Sequence, residues 1–178
     1  MTPPIVCIVG KKKSGKTTFL EKLLPELRAL GVRVGTVKHD AHSFEVDREG
    51  KDSWRHRQAG AETVVISSPE RVAVIKRVER ERSLSELAEE FFADRDLVVA
   101  EGYFRSDHPK IEVHRAGVHD RPLCLGEDAG KLRLLAVVSD LAMEAGAPMF
   151  GLDEAAAVAA LVVDRLLGGA ASACGRER

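Results

Sequence analysis

A β-branched apolar run, Ile5-Val6-Cys7-Ile8-Val9, leads directly into Gly10-Lys11-Lys12-Lys13-Ser14-Gly15-Lys16-Thr17, which spells G-x-x-x-x-G-K-T. No other stretch constrains the fold as tightly. A phosphate carries dense negative charge, and a chain holds it with convergent donors and no intervening side chains. Gly10 and Gly15 let the backbone turn its N–H groups inward, and Lys16 can reach the β- and γ-phosphates. Thr17 offers a hydroxyl to Mg²⁺, and the following helix points its positive end at the ligand. At average residue usage the four fixed positions coincide by chance in roughly one chain per hundred or fewer of this length. A lysine-rich surface turn does not account for the flanking strand and the helical apolar spacing of Thr18-Phe19-Leu20-Glu21-Lys22-Leu23-Leu24. The segment Gly10, Lys11, Lys12, Lys13, Ser14, Gly15, Lys16, Thr17 and Thr18 is therefore read as the cradle of a nucleoside triphosphate.

Strands and helices alternate along the rest of the chain. A helix is expected from Thr17 to about Leu30, stopped by Gly31 and kinked or broken at Pro25. Strands are expected over 33–38, 63–67, 71–76, 97–100, 111–114 and 134–138, with the third and fourth of the chain close enough to form a hairpin across Pro69. A short helix is placed around 52–59, and Ser83-Leu84-Ser85-Glu86 reads as a capping box opening a helix to Phe92. Asp153 is expected to cap a last helix, 154–167, which ends at Gly168-Gly169. This order predicts an α/β fold: a P-loop NTPase-like three-layer sandwich, a mostly parallel sheet with helices on both faces. It is read as one domain over 1–169, followed by a frayed tail, 170–178.

In such sheets ligands sit at the carboxyl ends of the strands, which sorts the polar residues. Glu101 follows Leu97-Val98-Val99-Ala100 and precedes Gly102, the Walker B arrangement; a carboxylate there reaches Mg²⁺ or orients a water near the γ-phosphate. Gly102 lets the backbone approach that phosphate. Asp96, roughly 16 Å away at about 3.3 Å per residue, is a strand-entry residue. The long loop after the second strand carries His39, His42 and Asp47 at the same edge; Asp47 is the candidate Mg²⁺-shell ligand or water-positioning group. Asp140, after the strand 134–138, stands where an aspartate accepts the N1–H and N2–H of guanine, or else Ser139-Asp140 caps a turn. Trp54 reads as a packing anchor, and Lys51, Asp52 and Arg55 as either a site cluster or a salt-bridged surface.

Lysine plus arginine number 27 against 28 acidic residues, so the charge balance points to neither a nucleic-acid partner nor a membrane surface. Cys7, Cys124 and Cys174 show no C-x-x-C pairing, which indicates neither a disulfide framework nor a zinc site. No targeting or spanning segment is recognised, and a cytoplasmic location is expected.

Taken together, the motifs resemble the MobB family. The matching pieces are the P-loop through Thr18; Lys38-His39 onward with His42, Phe44 and Asp47; and Gly50-Lys51-Asp52-Ser53-Trp54-Arg55 continuing to Ala59-Gly60-Ala61. Val99-Ala100-Glu101-Gly102-Tyr103 and Pro109-Lys110-Ile111-Glu112-Val113-His114-Arg115 complete them. The resemblance implies a homodimeric P-loop protein that binds GTP with Mg²⁺ and hydrolyses it weakly. It also implies an adaptor that assists a MobA-type guanylyltransferase joining GMP to molybdopterin, with molybdopterin itself an open candidate ligand. One departure is the filling of the loop by three lysines. Lys11 takes the place of the signature lysine of the deviant loop G-K-x-x-x-G-K-T, which in such proteins can cross a dimer interface to the partner's nucleotide. The alternative is that the added charge tightens binding of triphosphate or of a cofactor phosphate.

Two other readings use the same loop. A small-molecule kinase needs an acceptor site and an arginine-bearing lid, for which Arg77, Arg80 and Arg82 are the candidates. A metallochaperone GTPase needs metal ligands, for which His39, His42 and His114 are the candidates, without the cysteine- or histidine-rich tract expected of one. Slow hydrolysis is expected, since no arginine lies in the P-loop or directly after the Walker B strand.

Overall fold

Residues 2–40, 44–127 and 129–168 are described by a computed structural model of the chain. His42, Cys174 and the tail expected to fray lie outside them. Six strands form one parallel sheet: β1 (Ile5–Val9), β2 (Val34–Lys38), β5 (Leu97–Glu101), β6 (Lys110–His114), β7 (Leu134–Ser139) and β8 (Met149–Phe150), in the order β2-β5-β1-β6-β7-β8. β1 lies centrally, pairing Ile5 with Val98 on one side and Cys7 with Lys110 on the other. Because every pairing in this sheet is parallel, Val9, Lys38, Glu101, His114 and Ser139 all arrive at one edge.

The period-two alternation of β1 divides the core into two layers. Val6 and Ile8 face α1 (Lys16–Ala29) and α4 (Ala155–Leu167), where Phe19, Leu23, Leu27, Val158 and Val162 are buried. Ile5, Cys7 and Val9 face the other side, under Leu84 and Ala88 of α3 (Leu84–Phe91). Each fully buried aliphatic side chain contributes about 1.5–3 kcal/mol, and the two layers leave α/β stacking as the arrangement that buries both faces of the sheet. Gly35 in β2 has a packing reason: a Cβ there would meet the ring of Phe92 at 2.3 Å.

The expected elements form, with three corrections. α1 continues through Pro25 to Ala29. Its buried face, Phe19-Leu23-Leu27, spans the proline, while Pro25 and Glu21 are exposed, so the carbonyl that loses its i+4 donor has access to water. Asp153 is not the cap of α4: its carboxylate pairs with Lys22 Nζ at 2.6 Å, and Glu154 takes the N-cap position with no side-chain bond into the helix, its carboxylate accepting the preceding Gly151 N–H at 2.5 Å. β8, at the sheet edge, and two 3₁₀ turns, Leu123–Leu125 and Ala129–Lys131, were not expected from the sequence. They are two or three residues long, too short to carry a periodicity.

Residues up to His39 and from Leu84 onward form one compact unit, and Asp40–Ser83 form a second, although no change of composition marks the boundary. The second unit holds α2 (Asp52–Gln58) and an antiparallel hairpin of β3 (Thr63–Ser67) and β4 (Val72–Lys76), registered with Val65 opposite Val74.

Candidate functional site

The turn from β1 into α1 is shaped by its glycines. Gly10 has φ 149°, and a Cβ there would lie 2.3 Å from the Val113 carbonyl oxygen and 2.6 Å from Ser14 Oγ. Lys13 at φ 65° and Gly15 at φ 94° add left-handed turns of the kind that gather backbone N–H groups into an anion-binding concavity. Ser14 is 1 % exposed, and its Oγ is the buried side-chain polar atom left without a hydrogen-bond partner among the described residues. An orphan hydroxyl is costly inside a protein, and in this loop it suits a phosphate oxygen. The orphan donor, set in a loop of left-handed turns, fits a nucleotide phosphate.

Lys16 Nζ donates to the carbonyls of Gly10 and Lys11, each at 2.9 Å, so its ammonium sits over the loop. Burial pushes its pKa down, the Glu101 carboxylate pulls it up, and Lys38 pushes it down again. Thr17 Oγ1 donates to Glu101, 3.0 Å from Oε1 and 3.1 Å from Oε2. The Walker A hydroxyl and the Walker B carboxylate thus meet, although 84 residues separate them. Gly102, at φ 95°, gives its N–H to the Ile8 carbonyl, and a Cβ on it would press His39 Cβ at 3.1 Å. The ring of His39 stands 4.8 Å from that of Tyr103. Asp96 is at the far end of β5, bound to Arg33 through Oδ1 at 2.7 Å and Oδ2 at 3.0 Å, and the guanidinium holds its carboxyl below the usual range.

Lys11, Lys12 and Lys13 are exposed, as is Thr18. The Lys12 carbonyl accepts a hydrogen bond from His119 Nε2 at 2.5 Å, which ties the loop after β6 to the phosphate loop. Asp140 is exposed, and its Oδ1 accepts the Ala116 N–H at 2.7 Å. Asp47 has a partner set of its own within the second unit: Ser53 Oγ at 2.9 Å and Arg57 Nε at 3.1 Å, with its side chain 5 % exposed. Its carboxylate closes the loop onto α2, so the metal assignment rests on Thr17 and Glu101. Arg57 also pairs with Glu45 at 2.6 Å.

Sequence reasoning missed a row of buried polar side chains on β6. Ile111 and Val113 enter the core under α1 and α4, while Lys110, Glu112 and His114, at alternate positions, are 1–3 % exposed on the other side. Each holds a loop. Lys110 Nζ donates to the carbonyls of Ser106 and His108, and burial lowers its pKa. Glu112 accepts the N–H groups of Leu123 at 2.5 Å and Cys124 at 2.8 Å, and burial together with this carboxylate pushes the Cys124 thiol up to about 12. His114 binds Ser139 and the His119 carbonyl. Both ring nitrogens of His114 are thereby engaged, and among the described residues no three His, Cys, Asp or Glu side chains are grouped to hold a metal ion. No described helix is long and apolar enough to cross a membrane.

A parallel sheet with this loop at its carboxyl edge and helices on both faces defines a P-loop NTPase-like α/β protein. The family model described as molybdopterin guanine dinucleotide synthesis protein B matches residues 5–140, and the chain belongs to that family, MobB. The molybdopterin-guanine dinucleotide biosynthesis adapter protein of Haemophilus influenzae is 46 % identical over 115 residues, which are 63 % of this chain and 64 % of that protein, just under two thirds. Its Escherichia coli counterpart is 33 % identical over 167 residues, 90 % of this chain and 92 % of that one. A crystal structure of molybdopterin-guanine biosynthesis protein B superposes with a TM-score of 0.73 at 34 % identity, covering 92 % of this chain and 99 % of its own. The Bacillus subtilis MobB structure gives 0.70 at 29 %, covering 92 % and 98 %.

Proposed function

We propose that this protein is a GTP-binding adaptor of molybdopterin-guanine dinucleotide synthesis that works in the cytoplasm as a homodimer beside a MobA-type guanylyltransferase. The observation that carries the nucleotide reading is the meeting of Thr17 and Glu101 beside Lys16, on a loop that buries the unpartnered Ser14 hydroxyl. Lys16 and the backbone of 10–17 hold the triphosphate, Thr17 and Glu101 hold Mg²⁺, and Gly102 lets the backbone close on the γ-phosphate. Bound Mg²⁺ supplies charge neutralisation between the phosphates. Asp140 reads the guanine edge: a carboxylate has about four acceptor sites, and the Ala116 N–H uses one of them. The adaptor role follows from family membership and from the names of the relatives.

The homodimer is supported by the hairpin. Val65, Val72 and Val74 stand on one face of β3–β4 at 58, 65 and 46 % exposure, an apolar surface of the kind that protein partners cover. Slow hydrolysis is expected because no arginine lies in the P-loop sequence or directly after β5; an arginine finger supplies about 10³–10⁵ in rate, and Lys11 is the candidate for charge supplied from a partner copy.

Titration with a fluorescent GTP analogue, with and without Mg²⁺ and against ATP, tests the assignment, and phosphate release tests the turnover. Mg²⁺-dependent GTP binding with hydrolysis well below about one turnover per second is expected, far beneath typical enzyme rates. Rapid release by the isolated protein would replace the adaptor by a dedicated NTPase.

A further inference from the structure

We infer that His114 and Ser139 are positioning residues that orient Asp140 for a guanine base. The inference rests on the base-reading role proposed above for Asp140.

His114 and Ser139 form the last registered pair of β6 and β7, at the carboxyl edge, and are 3 and 6 % exposed. The hydrogen-bond chemistry of the pair fixes its direction. His114 Nε2 lies 3.0 Å from the His119 carbonyl, which only accepts, so Nε2 carries the proton. In the tautomer with its proton on Nε2, Nδ1 is an acceptor and takes the hydroxyl proton of Ser139 across 3.2 Å. Ser139 Oγ in turn accepts the Leu141 N–H at 3.0 Å. Each donor meets an acceptor, and the chain runs one way from Leu141 through Ser139 and His114 to the 115–121 loop.

Asp140 lies between Ser139, the last residue of β7, and Leu141, the two residues that this run of hydrogen bonds joins. Its Oδ1 is gripped by Ala116, two residues beyond His114. At the far side of the same loop His119 donates to the Lys12 carbonyl. The buried His114 imidazole therefore holds the far side of the loop, at His119, while Ala116 on its near side grips the carboxylate. An apolar pair would fill this space between strands without desolvating an imidazole and a hydroxyl. What the polar pair adds is direction at two loops, and both are at the ligand edge. A carboxylate that discriminates guanine from adenine depends on that direction, whereas triphosphate binding depends on Lys16 and the loop backbone.

The test is competition binding of GTP, XTP and ATP to the full chain carrying Asp140→Asn, Ser139→Ala, Ser139→Thr or His114→Gln, with a thermal melt of each. Xanthine carries a carbonyl where guanine has its N2 amine, so Asp140→Asn should turn the preference from GTP towards XTP. Ser139→Ala, the gentlest removal, should lower the GTP-to-ATP affinity ratio by about tenfold, the worth of one well-placed hydrogen bond, with ATP affinity unchanged. Ser139→Thr keeps the hydroxyl and should restore the ratio, and His114→Gln should fall between. If Asp140→Asn leaves the base preference unaltered, the base-reading role fails and this inference with it. If Asp140→Asn switches preference while Ser139→Ala and His114→Gln keep the wild-type ratio, the positioning role alone is overturned. Equal losses for GTP and ATP with a lowered melt would likewise overturn it, in favour of a purely structural pair.

Discussion

The two compact units of this chain treat apolar surface in opposite ways. The parallel sheet buries valine, isoleucine and leucine on both faces and places even Lys110, Glu112 and His114 out of water, each with its partners. The Asp40–Ser83 unit has one buried hydrophobic side chain among its described residues, Val64, and exposes Val65, Ile66, Val72, Val74 and Val78. An isolated two-stranded hairpin is marginal in water. The sheet thus builds its core from its own residues, whereas the hairpin leaves apolar side chains exposed. Stability and chemistry should reside in the first unit and association in the second.

Four changes probe that division. The largest effect is expected from Glu112→Ala, which leaves the buried N–H groups of Leu123 and Cys124 unpaired; each costs about 1–3 kcal/mol, so urea unfolding should show a loss of about 2–6 kcal/mol. A smaller loss would mean that water reaches this part of the sheet. Lys16→Ala comes next. It should leave the urea midpoint nearly in place and remove charge-assisted phosphate contacts of about 1.5–3 kcal/mol each, seen as weakened binding of the GTP analogue. Unchanged affinity would sink the phosphate assignment.

Val65→Asp with Val74→Asp acts on the other unit. Sedimentation at micromolar concentration should give a dimer for the parent chain and a monomer for this variant. A rise in dimer dissociation constant of at least tenfold is expected if each valine buries about 1.5 kcal/mol of apolar surface, while GTP affinity is retained. A parent chain that sediments as a clean monomer with and without GTP would break the comparison.

The smallest effect is expected from Asp96→Asn. Arg33 holds the folded pKa of Asp96 below its unfolded value of 3.8, so the stability it contributes is present above pH 3.8 and is lost as pH falls through the folded pKa. The pair is largely solvent-exposed and screened. Urea midpoints at pH 7 and pH 3 should therefore differ slightly more for the parent than for Asp96→Asn, and a large difference would mean that the strand entry is more deeply desolvated than its exposure shows.

Much of the α/β unit was legible along the chain because the signals are local. A β-branched run followed by G-x-x-x-x-G-K-T specifies strand, turn and helix within 20 residues, and four apolar residues before Glu101 mark a buried parallel strand. The capping of α4 was misread because Asp153 and Glu154 are adjacent and both suit a helix start; the choice fell to Lys22, 131 residues away, which took the aspartate. Asp47 had the right composition for a metal loop, but its partners Ser53 and Arg57 are set by how that loop folds onto α2.

Residue order alone was enough for the G-x-x-x-x-G-K-T turn, the strand that feeds it, Glu101 at a strand end and the alternation that calls for a three-layer sandwich. These depend on residue type and spacing within one or two elements. Folding brings Thr17 to Glu101 and Asp96 to Arg33, pairs far apart along the chain. The same holds for the alternating Lys110-Glu112-His114 of β6, which becomes a buried row of loop anchors. A strand with charges at every second position reads the same whether that face meets water or the protein interior. Strand order and the loops above it decide which, because a buried charge persists only where other segments of the chain bring it hydrogen-bond partners.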